Sequence, residues 1–418
     1  MKAKIGVVGL GVGYALACCL AEAGYRTVGV DIDSGVVAEP RMDPSIRRLL
    51  EYDAQHRRNI AKDLQLTTDY DALADCEYVT VCVSTGDEKK LVLGHVEDAV
   101  RSCCRVMKRG TSMIVYSTLP FGSSKKIRRI IESNDLRCDE DILYVHMPLM
   151  IAQGNTAQDF VNPPFVAFGS YSRASGEAAL QFYEEFIRSS SIWRKQLPPM
   201  FVTTPETAEL AKLTANAFLS TKMSFANMTD LLCKKVGVDS AELLEIVGSD
   251  WRIGKKMLRP GFAWGGNCFP RDTQSLVDTY TENEQDSGIL RAALELNEAR
   301  MREPYLILQK QGIERGRILV LGLAYKSGIN MTSGSKSAQL VKYLQEKGYD
   351  AFGYDPNINP KEEAKVNAQT YDAIIVTTDE PPFDKIVGDV RRRNPNAKLL
   401  DYRMRMAPEE GRGVGIED

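Results

Sequence analysis

Short apolar runs alternate with longer amphipathic stretches at both ends of the chain, the patterning of parallel α/β sheets with crossover helices. Toward the amino end the runs fall at residues 4–8 (KIGVV), 27–30 (TVGV), 78–83 (YVTVCV), 113–116 (MIVY) and 142–145 (ILYV). Helical spacing lies between them at 14–23 and 96–107, and a charged, helix-like stretch covers 41–66. A second series starts at 317–323 (RILVLGL) and continues at 350–354, 373–377 (AIIVT) and 398–401, with a helix expected over 335–347. The middle differs. Residues 206–235 read as one long helix, 240–247 and 289–310 as further helices, and strand signals are few. The segment 198–205 reads as a boundary, and the acidic, glycine-rich tail from Pro408 as disordered. The expected organisation is therefore an α/β domain at 1–200, a helical linker and dimer element at 201–310, and a second α/β domain at 311–418. The two α/β series share a layout, without sequence similarity clear enough to make them a repeat.

The first run passes directly into Gly9-Leu-Gly11-Val-Gly13, then an apolar helix, then a second strand ending at Asp31. Strand, glycine turn, helix, strand and acidic residue form the dinucleotide-binding layout. Glycines permit a tight turn and close approach of a pyrophosphate, whose charge the helix N-terminus stabilises. Asp31 could bond both adenosine ribose hydroxyls, which favours NAD over NADP. The spacing is G-x-G-x-G, one residue short of the usual fingerprint, so a different loop geometry is expected. Ser84, Thr85 and Thr118 stand at carboxyl ends of predicted strands, where an open α/β sheet meets its ligand.

A second concentration of chemistry lies at 261–276, GFAWGGNCFPRDTQSL. Cys268 follows a glycine-rich loop and precedes an expected helix, with Pro270 fitting its first helical position and Asp272 falling four residues after the cysteine. A thiol at a helix N-terminus feels the positive end of the dipole, which favours thiolate. Gly261, Gly265 and Gly266 would let backbone amides approach a ligand. Lys212 and Asn216, four apart on the long helix, project from one face and could reach a common ligand.

Bulk composition narrows the rest. A net charge of −3 gives no electrostatic case for nucleic acid or an anionic membrane, and no apolar run approaches a membrane span of about 20 residues. The nine cysteines lack metal-type spacing and the three histidines are far apart, so no metal site is expected. The absence of a signal-peptide pattern at the start favours a reducing cytoplasm.

The ordered set of residues resembles the UDP-glucose and GDP-mannose dehydrogenase family. The likeness runs through KIGVVGLGVG with Asp31, Ser117-Thr118, and ELAKLTANAF with Lys212 and Asn216. It continues in Asp250-Trp-Arg252-Ile-Gly, GGNCFPRD, GLAYK ending at Lys326, Tyr354-Asp355-Pro356 and Asp401-Tyr-Arg403. The resemblance implies two Rossmann-like doubly wound domains joined by a long central helix and a helical dimerisation region, hence a homodimer or higher homo-oligomer. It implies NAD on Gly9, Gly11, Gly13, Asp31, Ser84, Thr85, Thr118 and Arg271, and a nucleotide sugar whose C6 alcohol is oxidised twice, to the carboxylate. Cys268 is then the nucleophile, Lys212 and Asn216 the oxyanion pair, and Asp272 and Thr118 the groups that orient water. Arg252, Trp264, Gly265, Lys326 and Arg403 fall to the substrate, beside Lys212 and Asn216. The chain also departs from the family. Leu149 and Gln153 stand where carboxylates are usual, Met331 and Ser333 replace charged positions, Arg271 replaces lysine, and Ala263-Trp264 replaces Gly-Phe. Two further readings stay open: a dehydrogenase that stops at the aldehyde or hydrolyses its thioester poorly, and a non-catalytic nucleotide-sugar binder.

Overall fold

The computed structural model describes residues 2–42, 44–51, 54–86, 90–152, 154–192 and 194–403; the tail from Pro408 lies outside them. The chain divides into two compact units, Met1–Ala215 with Gln274–Glu282, and Asn216–Thr273 with Asn283–Asp418.

In the first unit the apolar runs form β1 (Lys4–Val8), β2 (Arg26–Val30), β3 (Leu64–Thr67), β4 (Tyr78–Val81), β5 (Thr111–Val115) and β6 (Ile142–His146). Two more strands, β7 (Val166–Gly169) and β8 (Met200–Thr203), extend the sheet. The order is β3-β2-β1-β4-β5-β6-β7-β8, and only the β6–β7 pairing is antiparallel. The chain winds outward from β1 to β3, then returns to place β4 on the other side of β1. Their carboxyl ends therefore form the switch point at which doubly wound sheets bind ligands. Separate apolar clusters, one around Ile5, Leu16 and Tyr183 and one around Val79, Val100 and Ile131, cover the sheet. All ten residues of the helix Gly13–Glu22 are buried, which is why its sequence, GYALACCLAE, carries no polar stripe.

Two expectations need correction. Residues 198–205 are not merely a boundary, because Met200–Thr203 pairs with β7 in parallel register. The helical stretch at 41–66 ends at Asp63, and Leu64–Thr67 instead pairs with β2 as an edge strand. β7 went unread because four residues give too short a period to distinguish strand from helix; its partners define it.

His146 closes β6 with no exposure. Its Nδ1 lies 3.0 Å from the Val115 carbonyl oxygen, while Nε2 has no hydrogen-bond partner. Burial pushes the imidazole down from 6.5 to about 4. A depressed histidine is neutral in the fold and protonates more readily in the unfolded chain, so stability is full above 6.5 and falls as the pH drops toward 4. The expected loss across that window is about 3 kcal/mol. Urea unfolding between these limits should show His146→Leu flattening the acid slope; an unchanged slope would assign it to other groups.

The second unit carries β9 (Arg317–Leu321), β10 (Asp350–Tyr354), β11 (Ala373–Val376) and β12 (Lys398–Asp401), all parallel in the order β10-β9-β11-β12. Here a repeat absent from the sequence becomes visible. Gly9 N–H donates to the Val30 carbonyl at 2.8 Å and Leu10 N–H to Asp31 Oδ2 at 2.7 Å. In the second unit Gly322 N–H donates to the Tyr354 carbonyl at 2.8 Å and Leu323 N–H to Asp355 Oδ2 at 2.9 Å. Both glycines have positive φ, +90° and +97°. The same turn is built twice from different residues.

Between the sheets in sequence lie the long helix Pro205–Val236 and the helices Ser240–Ser249, Cys268–Glu282 and Gly288–Lys310. Among the described residues no helix is long and apolar enough to cross a membrane.

Candidate functional site

The three glycines of the first unit perform three separate tasks despite their shortened spacing. Gly9 takes the positive φ of the turn, and a Cβ there would lie 2.9 Å from the Val83 backbone nitrogen. Gly11 has nothing within 4 Å of a Cβ position, so the backbone presents open space to an approaching group. Gly13 lets the helix pack on the strands, because a Cβ would lie 2.9 Å from Cys82 Cβ and 3.0 Å from Val7 Cγ1. The missing residue is thus absorbed by starting the helix at Gly13. No side chain caps that helix, which leaves its first amides for an anion.

Two other helix starts are filled. Glu209, fully buried on the long helix, accepts from Gly122 N–H at 2.6 Å and from Ser124 N–H and Oγ–H at 2.7 Å, closing the helix Ser123–Glu132. Ser335 caps the helix Lys336–Glu346. The two repeat aspartates differ in the same direction. Asp31 is half-buried, whereas Asp355 has no exposure; its Oδ2 accepts from Leu323 and Ala324 amides and its Oδ1 from Asn357. Only the first unit therefore combines an open turn, an uncapped helix and a reachable carboxylate, and its residues fit NAD. Nearby, Ser84 Oγ donates to the Gly86 carbonyl, Thr85 is buried, and Ser117 Oγ donates to the Val83 carbonyl at 2.7 Å, leaving half-buried Thr118 beyond it.

In the second unit Cys268 is the first residue of the helix Cys268–Glu282. It is exposed, and the other eight cysteines are buried. One turn on, fully buried Asp272 is held by two side chains. Asn216 Nδ2 donates to Oδ2 at 2.6 Å, and Arg271 Nε donates to Oδ1 at 3.0 Å. A second stitch, Thr273 Oγ to Ser220 Oγ at 3.2 Å, repeats the contact one turn along the long helix. Asn216 and Asp272 are thus brought together as a pair, and Lys212, buried, precedes Asn216 by one turn on the same helix.

The loop before Cys268 is tightly bounded. Gly266 N–H donates to the Gly334 carbonyl at 2.9 Å, and a Cβ on Gly265 would lie 2.4 Å from that oxygen. Tyr325 lies against Gly266, and Lys326 Nζ sits 5.8 Å from the Tyr325 ring centroid. Other expected ligand groups are engaged within the protein. Trp264 is buried, its indole N–H on Ser224 Oγ at 3.0 Å, so it anchors the loop from inside. Arg403 is held by Asp401 and by Asp384 at 2.7 Å. Arg252 lies across Asp250, with its side chain 73% exposed. Leu149 packs against the first apolar cluster, and Gln153 lies outside the described residues. Among the described residues no group of His, Cys, Asp and Glu could hold a metal ion.

Sequence reasoning missed Glu209, Asn227, Asn297 and Arg300. Each is a polar residue on a helical face whose partner lies far off in the chain, so no local pattern marks it.

Three family models match in order: the NAD binding domain at residues 3–187, the central domain at 206–299 and the UDP binding domain at 319–408, all of the UDP-glucose/GDP-mannose dehydrogenase family. The UDP-glucose 6-dehydrogenase of Rhizobium meliloti is 30% identical over 84% of this chain and 81% of its own. The UDP-glucose 6-dehydrogenase AglM of Haloferax volcanii is 29% identical over 96% and 99%. The solved structure of the UDP-D-ManNAc dehydrogenase of Pyrococcus horikoshii superposes with a TM-score of 0.82 at 27% identity, covering 97% of both chains. With the cofactor turn, the cysteine helix and two Rossmann-like sheets in place, the chain belongs to the UDP-glucose/GDP-mannose dehydrogenase family and is an NAD-dependent nucleotide-sugar dehydrogenase.

Proposed function

We propose that the protein oxidises the C6 alcohol of a UDP-glucose-like nucleotide sugar to the carboxylate through a covalent bond to Cys268. The observation that carries this reading is the exposed thiol at a helix start, one turn before the Asn216–Asp272–Arg271 cluster. NAD, when bound, supplies the hydride acceptor for both oxidations. Cys268 Sγ adds to the C6 aldehyde of the first oxidation, giving a thiohemiacetal that is oxidised to a thioester and then hydrolysed to the acid and free enzyme. Lys212 and Asn216 stabilise the oxyanion in these steps. Asp272 fixes the Asn216 amide and, with Thr118, orients water. Arg252 and Lys326 take the nucleotide side, with Gly265 keeping the loop backbone close; buried Trp264 acts there by anchoring the loop, and Arg403 by ordering Asp384 and Asp401. Residues 1–200 take NAD, 201–310 dimerise and 311–418 take the nucleotide.

A homodimer is supported by the long helix itself. Phe218, Phe225 and Leu232 recur every seven residues and are 67%, 49% and 61% exposed, with Val236 (60%) beyond them, an apolar stripe that a second copy would cover.

A second reading is favoured by Leu149, an apolar, core-packed residue where the family resemblance places a carboxylate for hydrolysis. The enzyme then stops at the aldehyde or hydrolyses its thioester slowly. One experiment separates the readings: purified protein, NAD and a panel of UDP- and GDP-sugars, counting NADH per sugar consumed and weighing the Cys268 peptide during turnover. Two NADH per sugar support full oxidation; an accumulating Cys268 adduct shows slow hydrolysis. One NADH with released aldehyde supports the second reading, and no turnover removes both.

A further inference from the structure

We propose that Asn297 is a positioning residue for the nucleophile, setting where the Cys268 loop presents its thiol without touching substrate; this deepens the covalent reading above. Asn297 lies on the helix Gly288–Lys310 and is 3% exposed. Its Oδ1 accepts from Trp264 N–H at 2.8 Å and its Nδ2 donates to the Trp264 carbonyl at 2.8 Å. One side chain thus satisfies both backbone groups of one loop residue, as a paired strand would. Sliding or rotating the loop breaks both bonds inside a buried site, where unpaired polar groups are costly.

Neighbouring bonds make Trp264 the fulcrum. Gly261 is held on both sides, its N–H by Asn227 Oδ1 and its carbonyl by Arg300 Nε, each at 2.8 Å. Beyond Trp264 the loop is clasped by Gly334 at Gly266, and Ser333 Oγ donates to Asn267 Oδ1 at 2.8 Å. The next residue is Cys268. Asn227 spans two loop residues, accepting from Gly261 N–H and donating to the Phe262 carbonyl at 3.5 Å, whereas Asn297 donates to and accepts from the single residue Trp264.

An amide is required because aspartate, nearly the same shape, cannot donate to the Trp264 carbonyl and places negative charge against it. The test uses full-length protein carrying Asn297→Asp, with Asn297→Ser as a second variant in case the first does not fold. Two readouts are compared with wild type: the rate of Cys268 alkylation by iodoacetamide across pH, and the separate kcat and KM for nucleotide sugar. A folded variant should show an alkylation rate changed about fivefold or more and kcat lowered about 10-fold or more, with KM within twofold. A wild-type alkylation profile in a folded variant overturns the proposal, as does a loss shared equally by kcat, KM and melting temperature. The alkylation readout needs no turnover. If Cys268→Ser keeps full activity, the covalent reading fails while loop positioning is still measured on its own.

Discussion

Replacing Cys268 by serine is expected to stop acid formation, slowing the second oxidation by roughly 10³-fold or more. The reason is the contrast among the nine cysteines. Eight are buried, and at Cys76 and Cys82 burial pushes the thiol up, to about 11 and about 12, which holds those two protonated. Cys268 alone is exposed, and it begins a helix whose first amides face it with positive partial charge. A serine hydroxyl there keeps the shape but is a far weaker nucleophile without an adjacent base. The first oxidation needs no covalent bond, so the variant should yield at most one NADH per sugar, with aldehyde or its hydrate as product. NADH counting and product mass spectrometry read this directly. A Cys268→Ser enzyme that still makes acid at the wild-type rate would sink the thioester mechanism.

The second large effect is expected at Gly11. Valine there should weaken NAD binding by at least about 100-fold, about 2.7 kcal/mol, while melting within a few degrees of wild type. A Cβ at this position meets nothing within 4 Å in the protein, so folding has little reason to object. On the proposed reading, a pyrophosphate at the uncapped helix Gly13–Glu22 needs that space. Gly13→Val is the internal contrast. Its Cβ would lie 2.9 Å from Cys82 Cβ and 3.0 Å from Val7 Cγ1, so it should cost about 1–3 kcal/mol of stability as overpacking. Calorimetric NAD titration and thermal melts of the two variants test the division. Equal destabilisation by both, or unaltered NAD affinity in Gly11→Val, would contradict it.

Much of the fold was written in local pattern. Runs such as KIGVV and RILVLGL are apolar on both faces, which specifies central parallel strands wherever they land, and the helix over 206–235 was bounded to within a residue of Pro205–Val236. The edge strands were not legible. Leu64–Thr67 and Met200–Thr203 are short and half-buried, and their register comes from β2 and β7. The shortened glycine motif announced an altered turn, yet only packing showed Gly13 serving as the close-contact glycine.

By itself, the sequence determined that a dinucleotide turn, a long helix and a cysteine beside a helix start would occur in this order, because each depends on neighbours a few residues away. The tertiary structure decided which of two like-built turns stays open, since Asp355 is sealed by amides while Asp31 remains within reach. It also decided that Asp272 meets Asn216 and Arg271, and that Asn297 reaches Trp264 across 33 positions of the chain. Burial and hydrogen-bond direction arise from the packing of distant segments, and no window of residues contains them.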